Sequence, residues 1–172
     1  MVSDFLGRER LPVILQAEHS ECALVCLAMV LNFHGHRIDI NTLRLRSGAS
    51  AQGVTLKSLM QLADRWQLAA RPLRLETEEL GQLVLPAILH WDLDHFVVLK
   101  AVRKGRVYLH DPASGARDLA LSEIDRHFTG VALELRPAAD FKKCDETRRL
   151  QLWDLWQRSE GLWRSLGQLL LL

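Results

Sequence analysis

Four side chains of this sequence have the types and the chain order needed for acyl transfer by a thiol nucleophile. They are Gln16, Cys22, His95 and Asp111. Cys22 would attack a carbonyl carbon, His95 would accept the thiol proton and return it to the leaving amine, and Asp111 would orient the imidazole. The Gln16 amide and the backbone N–H of Cys22 would donate hydrogen bonds to the oxyanion. The predicted chemistry is peptide-bond hydrolysis by a cysteine nucleophile.

This chemistry requires secondary-structure elements that bring the side chains together. The apolar spacing after Ser20, a candidate N-cap, predicts a helix that ends at Gly35, so Cys22 falls in the first turn. Unpaired backbone N–H groups and the positive end of the helix dipole favour a thiolate there. His95 begins one apolar strand and Asp111 follows the next, so a hairpin between them would bring the two side chains together.

The remaining pattern predicts helices first and an antiparallel sheet second. Two further helices are expected, over 41–46 and over 55–66, and the later strands are expected over 70–75, 87–91, 95–102, 106–110 and 131–136. Lys104 and Gly105 are a hairpin-turn pair. A short helix is expected over 122–128, with Ser122 as its cap. This order predicts an α+β fold.

Composition narrows the function. The chain has 172 residues, 48% of them hydrophobic and 25% charged, which is enough for one sizeable core and a short appendage. A net charge of +1, with Lys and Arg scattered along the sequence, argues against a nucleic-acid partner. Three cysteines without a repeating spacing, and an amino terminus without a signal-peptide core, predict reduced thiols in the cytosol.

The carboxyl-terminal segment has a different character. Three of the five tryptophans lie between 151 and 163, and the chain ends on four leucines. We expect an amphipathic helix at a membrane interface, after which a transmembrane helix would begin. A helix that packs on its own domain is the alternative. The predicted organisation is a peptidase domain over 1–138, a polar linker over 139–150, and over 151–172 the interfacial helix leading into a truncated transmembrane domain.

The other cysteines and histidines are not predicted to bind a metal. No standard zinc spacing is matched by Cys22, Cys26, His19, His34 and His36. Cys26 is interpreted as a core residue, the histidines that flank Gly35 as part of a solvated loop, and Cys144 as incidental. Asp92 and Asp94 are interpreted as a solvated turn, with attraction of a cation or a basic substrate group as the alternative.

Several segments carry a family resemblance. Residues 11–30, which include LQAEHSECALVC, resemble the opening of the bacteriocin-processing cysteine peptidase domain found at the amino terminus of certain bacterial ABC exporters, the colicin V secretion type above all. Residues 88–99 (ILHWDLDHFVVL) and 110–115 (HDPASG) resemble its histidine and aspartate motifs, and 53–59 (GVTLKSL) the region between. The resemblance covers about 8–137. Ala23 stands where glycine commonly follows the nucleophile.

The resemblance implies a papain-like fold and a thiol protease that removes a leader peptide after a Gly-Gly type site, coupled to export of the cargo. It also implies that the leader docks as an amphipathic helix on an apolar groove. No cofactor is expected in these 172 residues, while ATP and Mg²⁺ would bind a nucleotide-binding domain elsewhere in a full-length exporter. That exporter would be a homodimer with accessory export proteins, in the bacterial inner membrane with the peptidase on the cytoplasmic side.

Two other functions remain open at this level. A degenerate peptidase-like domain could dock the export substrate without cutting it, although relatives of that kind lack the nucleophile. A cysteine hydrolase or transferase with another acyl acceptor could use the same scaffold.

Overall fold

The computed structural model describes residues 10–47 and 54–147, and these ranges contain short helices followed by a sheet. The helices are α1 (Cys22–Phe33), α2 (Ile40–Ser47), α3 (Leu56–Arg65) and α4 (Leu121–Ile124), with 3₁₀ turns at His19–Glu21 and Thr77–Gln82. Within the same ranges no helix is long and apolar enough to cross a membrane. The predicted interfacial helix over 151–172 lies outside the described residues.

Six strands form one antiparallel sheet and two short strands pair separately. In chain order the strands are β1 (His36–Arg37), β2 (Leu68–Arg74), β3 (Ala87–Trp91), β4 (His95–Arg103), β5 (Arg106–Asp111), β6 (Gly115–Ala120), β7 (Phe128–Pro137) and β8 (Cys144–Asp145). The large sheet has the order β2-β7-β3-β4-β5-β6, and β1 pairs with β8 in parallel. The predicted α+β fold is confirmed.

Helix α1 is the centre of the core. Every residue from Cys22 to Leu31 is buried, as expected for a helix that is apolar on all sides. It packs on β4, where the Cys26 thiol donates a hydrogen bond to the Phe96 carbonyl at 3.3 Å. Gly35 has φ of +91°, a conformation that favours glycine, so the predicted helix stop is confirmed.

The middle of the sheet is buried on both faces. Along β4, Phe96 and Val98 pack with the helices, whereas Val97 and Leu99 pack in a second cluster on the opposite face. This explains why β4 reads as a continuous apolar run without alternation. A rigid strand buried on both sides therefore carries His95 at its first position.

Two predicted caps are wrong. Ser20 lies inside the 3₁₀ turn, and Glu21 is the N-cap residue of α1. The predicted helix over 122–128 begins earlier and is shorter, because the Ala120 N–H donates to the Glu123 carboxylate at 2.7 Å and β7 has begun by Phe128.

Strand β6 was not predicted, since its sequence GARDLA has no β-branched or aromatic residue.

Candidate active site

Cys22 is the first residue of α1 and is only 6% exposed. No side chain caps this helix end, so the first backbone N–H groups are available to an anionic sulfur or oxygen. The preceding Glu21 is buried and forms an ion pair with Arg44 of α2. The start of α1 is thereby fixed to α2 just before the thiol.

His95 and Asp111 lie next to each other at the open end of the β4–β5 hairpin, which is the end away from its turn. The hairpin turns at Lys104 and Gly105, whose φ values of +51° and +72° are those of the predicted turn. Nε2 of His95 lies 2.8 Å from Oδ1 of Asp111, and both side chains are buried. Antiparallel pairing thus brings together two residues sixteen positions apart, as predicted.

The other ring nitrogen of His95, Nδ1, is buried and has no hydrogen-bond partner among the described residues. Cys22 acts electrostatically on the same ring. Burial lowers the pKa of His95, but the hydrogen bond with Asp111 and the influence of the Cys22 thiol, together with the charges of both groups, raise it to about 9. The imidazole is therefore held in its protonated form at neutral pH.

Asp111 is fixed by a local turn as well as by His95. Its Oδ1 accepts from the Ala113 N–H at 2.8 Å, its Oδ2 accepts from the Ser114 hydroxyl at 2.6 Å, and Arg117 lies 3.6 Å away. Burial opposes ionisation, but the bonds from His95, Ser114 and Ala113 hold the pKa of this carboxyl well below its usual range. Residues 111–114 form an Asx-type turn, the local signal by which Ser114 could have been found in the sequence.

Gln16 lies in a segment fastened to the same end of β5. The Gln16 N–H donates to the Pro112 carbonyl at 2.9 Å, and His110 Nδ1 lies 2.9 Å from the Pro12 carbonyl oxygen. The Gln16 Oε1 is buried without a partner among the described residues. The structure thus places Gln16 beside the turn that holds Asp111.

A cleft of about 830 Å³ opens over Cys22. Its apolar lining includes Val54, Leu56, Leu93, Phe96 and Val131. His19 lies at its rim, 3.8 Å from Asp94, and both of these side chains are largely exposed. The cleft over Cys22 therefore combines an apolar wall with a polar, exposed edge.

The cysteines outside the cleft differ from each other. Cys26 is fully buried, and burial raises the pKa of its thiol, in agreement with a core role. His36 was interpreted as part of a solvated loop, and this is wrong, because it lies in β1 and is only 7% exposed. Its ring lies 3.5 Å or less from the sulfur of Cys144, with Glu146 beside them. Sequence spacing missed this cluster because 108 residues separate His36 from Cys144.

Residues 10–140 match the model of the peptidase C39 family. The chain belongs to this family. The most similar curated relatives include the probable microcin-H47 secretion/processing ATP-binding protein MchF and the colicin V secretion/processing ATP-binding protein CvaB, both of Escherichia coli. Each is 42% identical over 166 residues, which is 96% of this chain and 24% of the relative. The C39 chain therefore spans about a quarter of the length of these relatives.

Solved structures resemble the C39 chain over the same region. A double glycine motif protease from an AMS/PCAT transporter, in complex with its leader peptide, is 36% identical with a TM-score of 0.71, covering 78% of this chain and 96% of that one. The peptidase domain of Streptococcus ComA has a TM-score of 0.68 at 21% identity, covering 74% and 99%. The predicted papain-like C39 fold is confirmed.

Proposed function

We propose that this chain is a cysteine endopeptidase that removes the leader of a bacteriocin-like or microcin-like peptide after a Gly-Gly type site. The observation that carries the proposal is the thiol of Cys22 at an uncapped helix start, together with a buried His95 whose Nε2 Asp111 holds at 2.8 Å. The double-glycine protease that resembles this chain is solved with a leader peptide, which supports a substrate of the same class.

In the proposed mechanism Cys22 attacks the carbonyl carbon of the scissile bond as a thiolate. The adjacent imidazolium of His95 stabilises the thiolate and then donates its proton to the leaving amine, while Asp111 keeps the ring oriented through Nε2. Water then hydrolyses the thioester, with His95 as the general base. The strongly ionised Asp111 does not itself take up the proton.

The oxyanion would be bound by the Cys22 backbone N–H and by the side-chain amide of Gln16. The Gln16 Oε1 is buried without a partner in the described part of the chain, and the Gln16 backbone is anchored to Pro112, so the side chain starts from a fixed position next to the turn that holds Asp111. Loss of one such donor costs about 10²–10³-fold in kcat. We expect Gln16→Ala to lower kcat by roughly that factor with little change in KM, measured by steady-state leader cleavage.

The cleft over Cys22 suits the proposed substrate. Its wall of aliphatic and aromatic side chains can bury the apolar face of a leader helix, and the two glycines would reach the thiol in extended form. The charged rim at His19 and Asp94 lies where residues flanking the scissile bond would pass. This supports a peptide substrate rather than a small acyl donor.

The coupling to transport is also a proposal. The C39 relatives are secretion/processing ATP-binding proteins of about four times this length, so we propose that a full-length exporter binds ATP with Mg²⁺ elsewhere and keeps this domain on the cytoplasmic side of the bacterial membrane. The division into a peptidase domain over 1–138, a linker over 139–150 and a membrane-leading helix over 151–172 belongs to the same proposal. So do the homodimer and its accessory export proteins.

The decisive experiment is cleavage of a synthetic leader that ends in Gly-Gly and continues into a few cargo residues. The chain would be assayed in reductant at neutral pH, and mass spectrometry would locate the cut. We expect cleavage after the second glycine, and its loss in Cys22→Ala by about 10⁴-fold or more. Cys26→Ala, which removes a thiol one helical turn further along α1, is expected to keep cleavage and is the matched control.

A docking-only domain would give a different result. In that case the leader would bind equally well to the unaltered chain and to Cys22→Ala, measured by fluorescence anisotropy, and neither would release a product. Cleavage that persists in Cys22→Ala would reject Cys22 as the nucleophile while leaving the family assignment in place.

A further inference from the structure

A second set of cysteine, histidine and carboxylate side chains lies outside the cleft, where β8 pairs with β1. Cys144 is the register partner of His36, and the Glu146 N–H extends the pairing by donating to the Arg37 carbonyl at 2.7 Å. Because side chains two residues apart in a strand share a face, Cys144 and Glu146 both point toward His36. The strand pairing therefore brings three metal-ligand types to one point.

The three ligand atoms form a nearly equilateral triangle. His36 Nε2 lies 3.5 Å from Cys144 Sγ and 3.6 Å from Glu146 Oε1, and the Sγ–Oε1 distance is 3.8 Å. Bond lengths of about 2.0–2.3 Å at a tetrahedral zinc place its ligand atoms about 3.3–3.6 Å apart. We propose that His36, Cys144 and Glu146 bind a zinc ion that clasps β8 to β1.

The chemistry of the ligands favours zinc over harder cations. A thiolate and an imidazole suit Zn²⁺ and disfavour Mg²⁺ and Ca²⁺, which prefer oxygen ligands. Thiolate and carboxylate together would neutralise the ion. The sulfur is now almost equally far from the two ring nitrogens, at 3.4 and 3.5 Å, so binding requires a rotation of the ring or of the thiol.

The surroundings of the triangle fit a three-ligand site with a fourth position for water. Arg46 pairs with Oε2 of Glu146 at 2.5 Å, which leaves Oε1 turned to the other two ligands. The ring of Phe141 lies 6.1 Å from that of His36 and covers it on an apolar side. A cleft of about 350 Å³, lined by Thr42, Leu45, Arg46 and Glu146, opens beside one of the three ligands.

A zinc ion bound by both His36 and Cys144 would join two residues that are far apart in the chain. Closure of a long loop restricts the unfolded chain, and a metal that binds only the folded state adds its binding free energy to stability. Zinc should therefore raise the melting temperature and slow hydrogen exchange at the Glu146 N–H, which bonds to Arg37.

The test uses the full chain carrying Cys22→Ala, so that zinc cannot bind the proposed catalytic thiol. After treatment with chelator, Zn²⁺ is titrated by calorimetry, and Co²⁺ is titrated while thiolate-to-cobalt charge-transfer absorption is recorded. We expect one ion per chain, the charge-transfer band, and a higher melting temperature. Cys144→Ser and Glu146→Gln, each added to Cys22→Ala, are expected to weaken binding at least roughly 10-fold. Asp145→Asn, which changes the neighbouring carboxylate, is the matched control and should bind as tightly as its parent.

Two outcomes would overturn the clasp. One is the absence of stoichiometric binding to the Cys22→Ala chain, which would leave the three groups as a hydrogen-bonded cluster. The other is equal affinity in Cys144→Ser, which would place the ion elsewhere. The cobalt band on the Cys22→Ala chain needs no further variant, so a fold defect in Cys144→Ser or Glu146→Gln would not decide the result.

Discussion

Two sets of cysteine, histidine and carboxylate occur in the described residues, and they differ in arrangement rather than composition. At the candidate active site, Asp111 bonds to Nε2 of His95, and Cys22 acts on the same ring from the start of α1. At the β1–β8 pair, the three ligand atoms each lie within 3.8 Å of the other two. An imidazole that is oriented by a carboxylate can accept and return the proton of a thiol, whereas three ligand atoms around one point can bind an ion. The same residue types therefore support two different chemistries.

The supporting elements differ as well. Cys22 begins a helix that is buried from Cys22 to Leu31, and His95 begins a strand buried on both faces, so neither can move far. Cys144 lies on a two-residue strand and is exposed. Catalytic groups need fixed geometry, while a ligand on a short strand can adjust to an ion. The predictions below test this contrast, beginning with the largest expected effect.

Conversion of the carboxylate to an amide should separate the two sets most clearly. Asp111→Asn removes the charge that holds His95 protonated and oriented, so we expect kcat for leader cleavage to fall by about 10²–10⁴-fold. Asp118→Asn, which alters a carboxylate paired with Arg106, serves as the control. An undiminished kcat in Asp111→Asn would reject the proposed role of Asp111 in orienting His95. The equivalent change at the other set, Glu146→Gln, is expected to weaken zinc binding in the titration described above and to leave kcat for leader cleavage unchanged.

The pH dependence of cleavage should follow His95. Its pKa is raised from 6.5 to about 9, so the imidazolium persists through neutral pH, and kcat/KM should decline about tenfold per pH unit above about 9 as the proton is lost. The same shift stabilises the fold fully below pH 6.5, and this contribution disappears as pH rises through about 9. Urea unfolding of the unaltered chain should show the loss, and His95→Gln should not. An upper limb near pH 6.5 would contradict the pairing.

The rates of alkylation of Cys22 and Cys144 should run opposite to their exposure, with the buried thiol reacting faster. Cys144 is exposed, yet partial burial and the negative Glu146 raise its pKa, whereas the buried Cys22 interacts electrostatically with His95, whose raised pKa favours the imidazolium. In zinc-free buffer at neutral pH, we expect iodoacetamide to modify Cys22 at least roughly tenfold faster than Cys144. Peptide mapping would measure the rate at each cysteine. His95→Gln should slow the reaction at Cys22 alone. Faster labelling of Cys144 in the unaltered chain would refute the contrast.

The smallest effect concerns the arginines of α2, each of which supports one set. Arg44 pairs with Glu21, whose side chain is 6% exposed, and Arg46 with Glu146, which is 25% exposed. Loss of a partner costs more where the remaining carboxylate is less hydrated. We expect Arg44→Ala to lower the free energy of unfolding by about 1–3 kcal/mol and Arg46→Ala by less than about 1 kcal/mol. Urea denaturation measures both, and the reverse order would reject this account.

Sequence reasoning located the elements around the proposed active site because their signals are local. The apolar run before Gly35, the Lys104-Gly105 turn and the strand that begins at His95 each carry their own pattern. The start of α1 was displaced because a 3₁₀ turn precedes it, and α4 because a glutamate rather than Ser122 makes the cap bond.

The second set could not be read from the sequence because its pairing is long-range. A two-residue parallel strand has no periodicity, and nothing near His36 announces a partner 108 residues away. The spacing of Cys144 and Glu146 in a polar segment was the available signal, but two ligands two residues apart are common. Tertiary contact alone joins them to a buried imidazole.

The parallel pairing of β8 with β1 also has a mechanical consequence. Tension on the chain beyond Thr147 would load the β1–β8 hydrogen bonds in shear and pass to β1, three residues after the last residue of α1. Helix α1 is a rod of about 18 Å, with Cys22 at its far end. A pull or a twist on the chain after Thr147 would therefore reach Cys22 through a single helix.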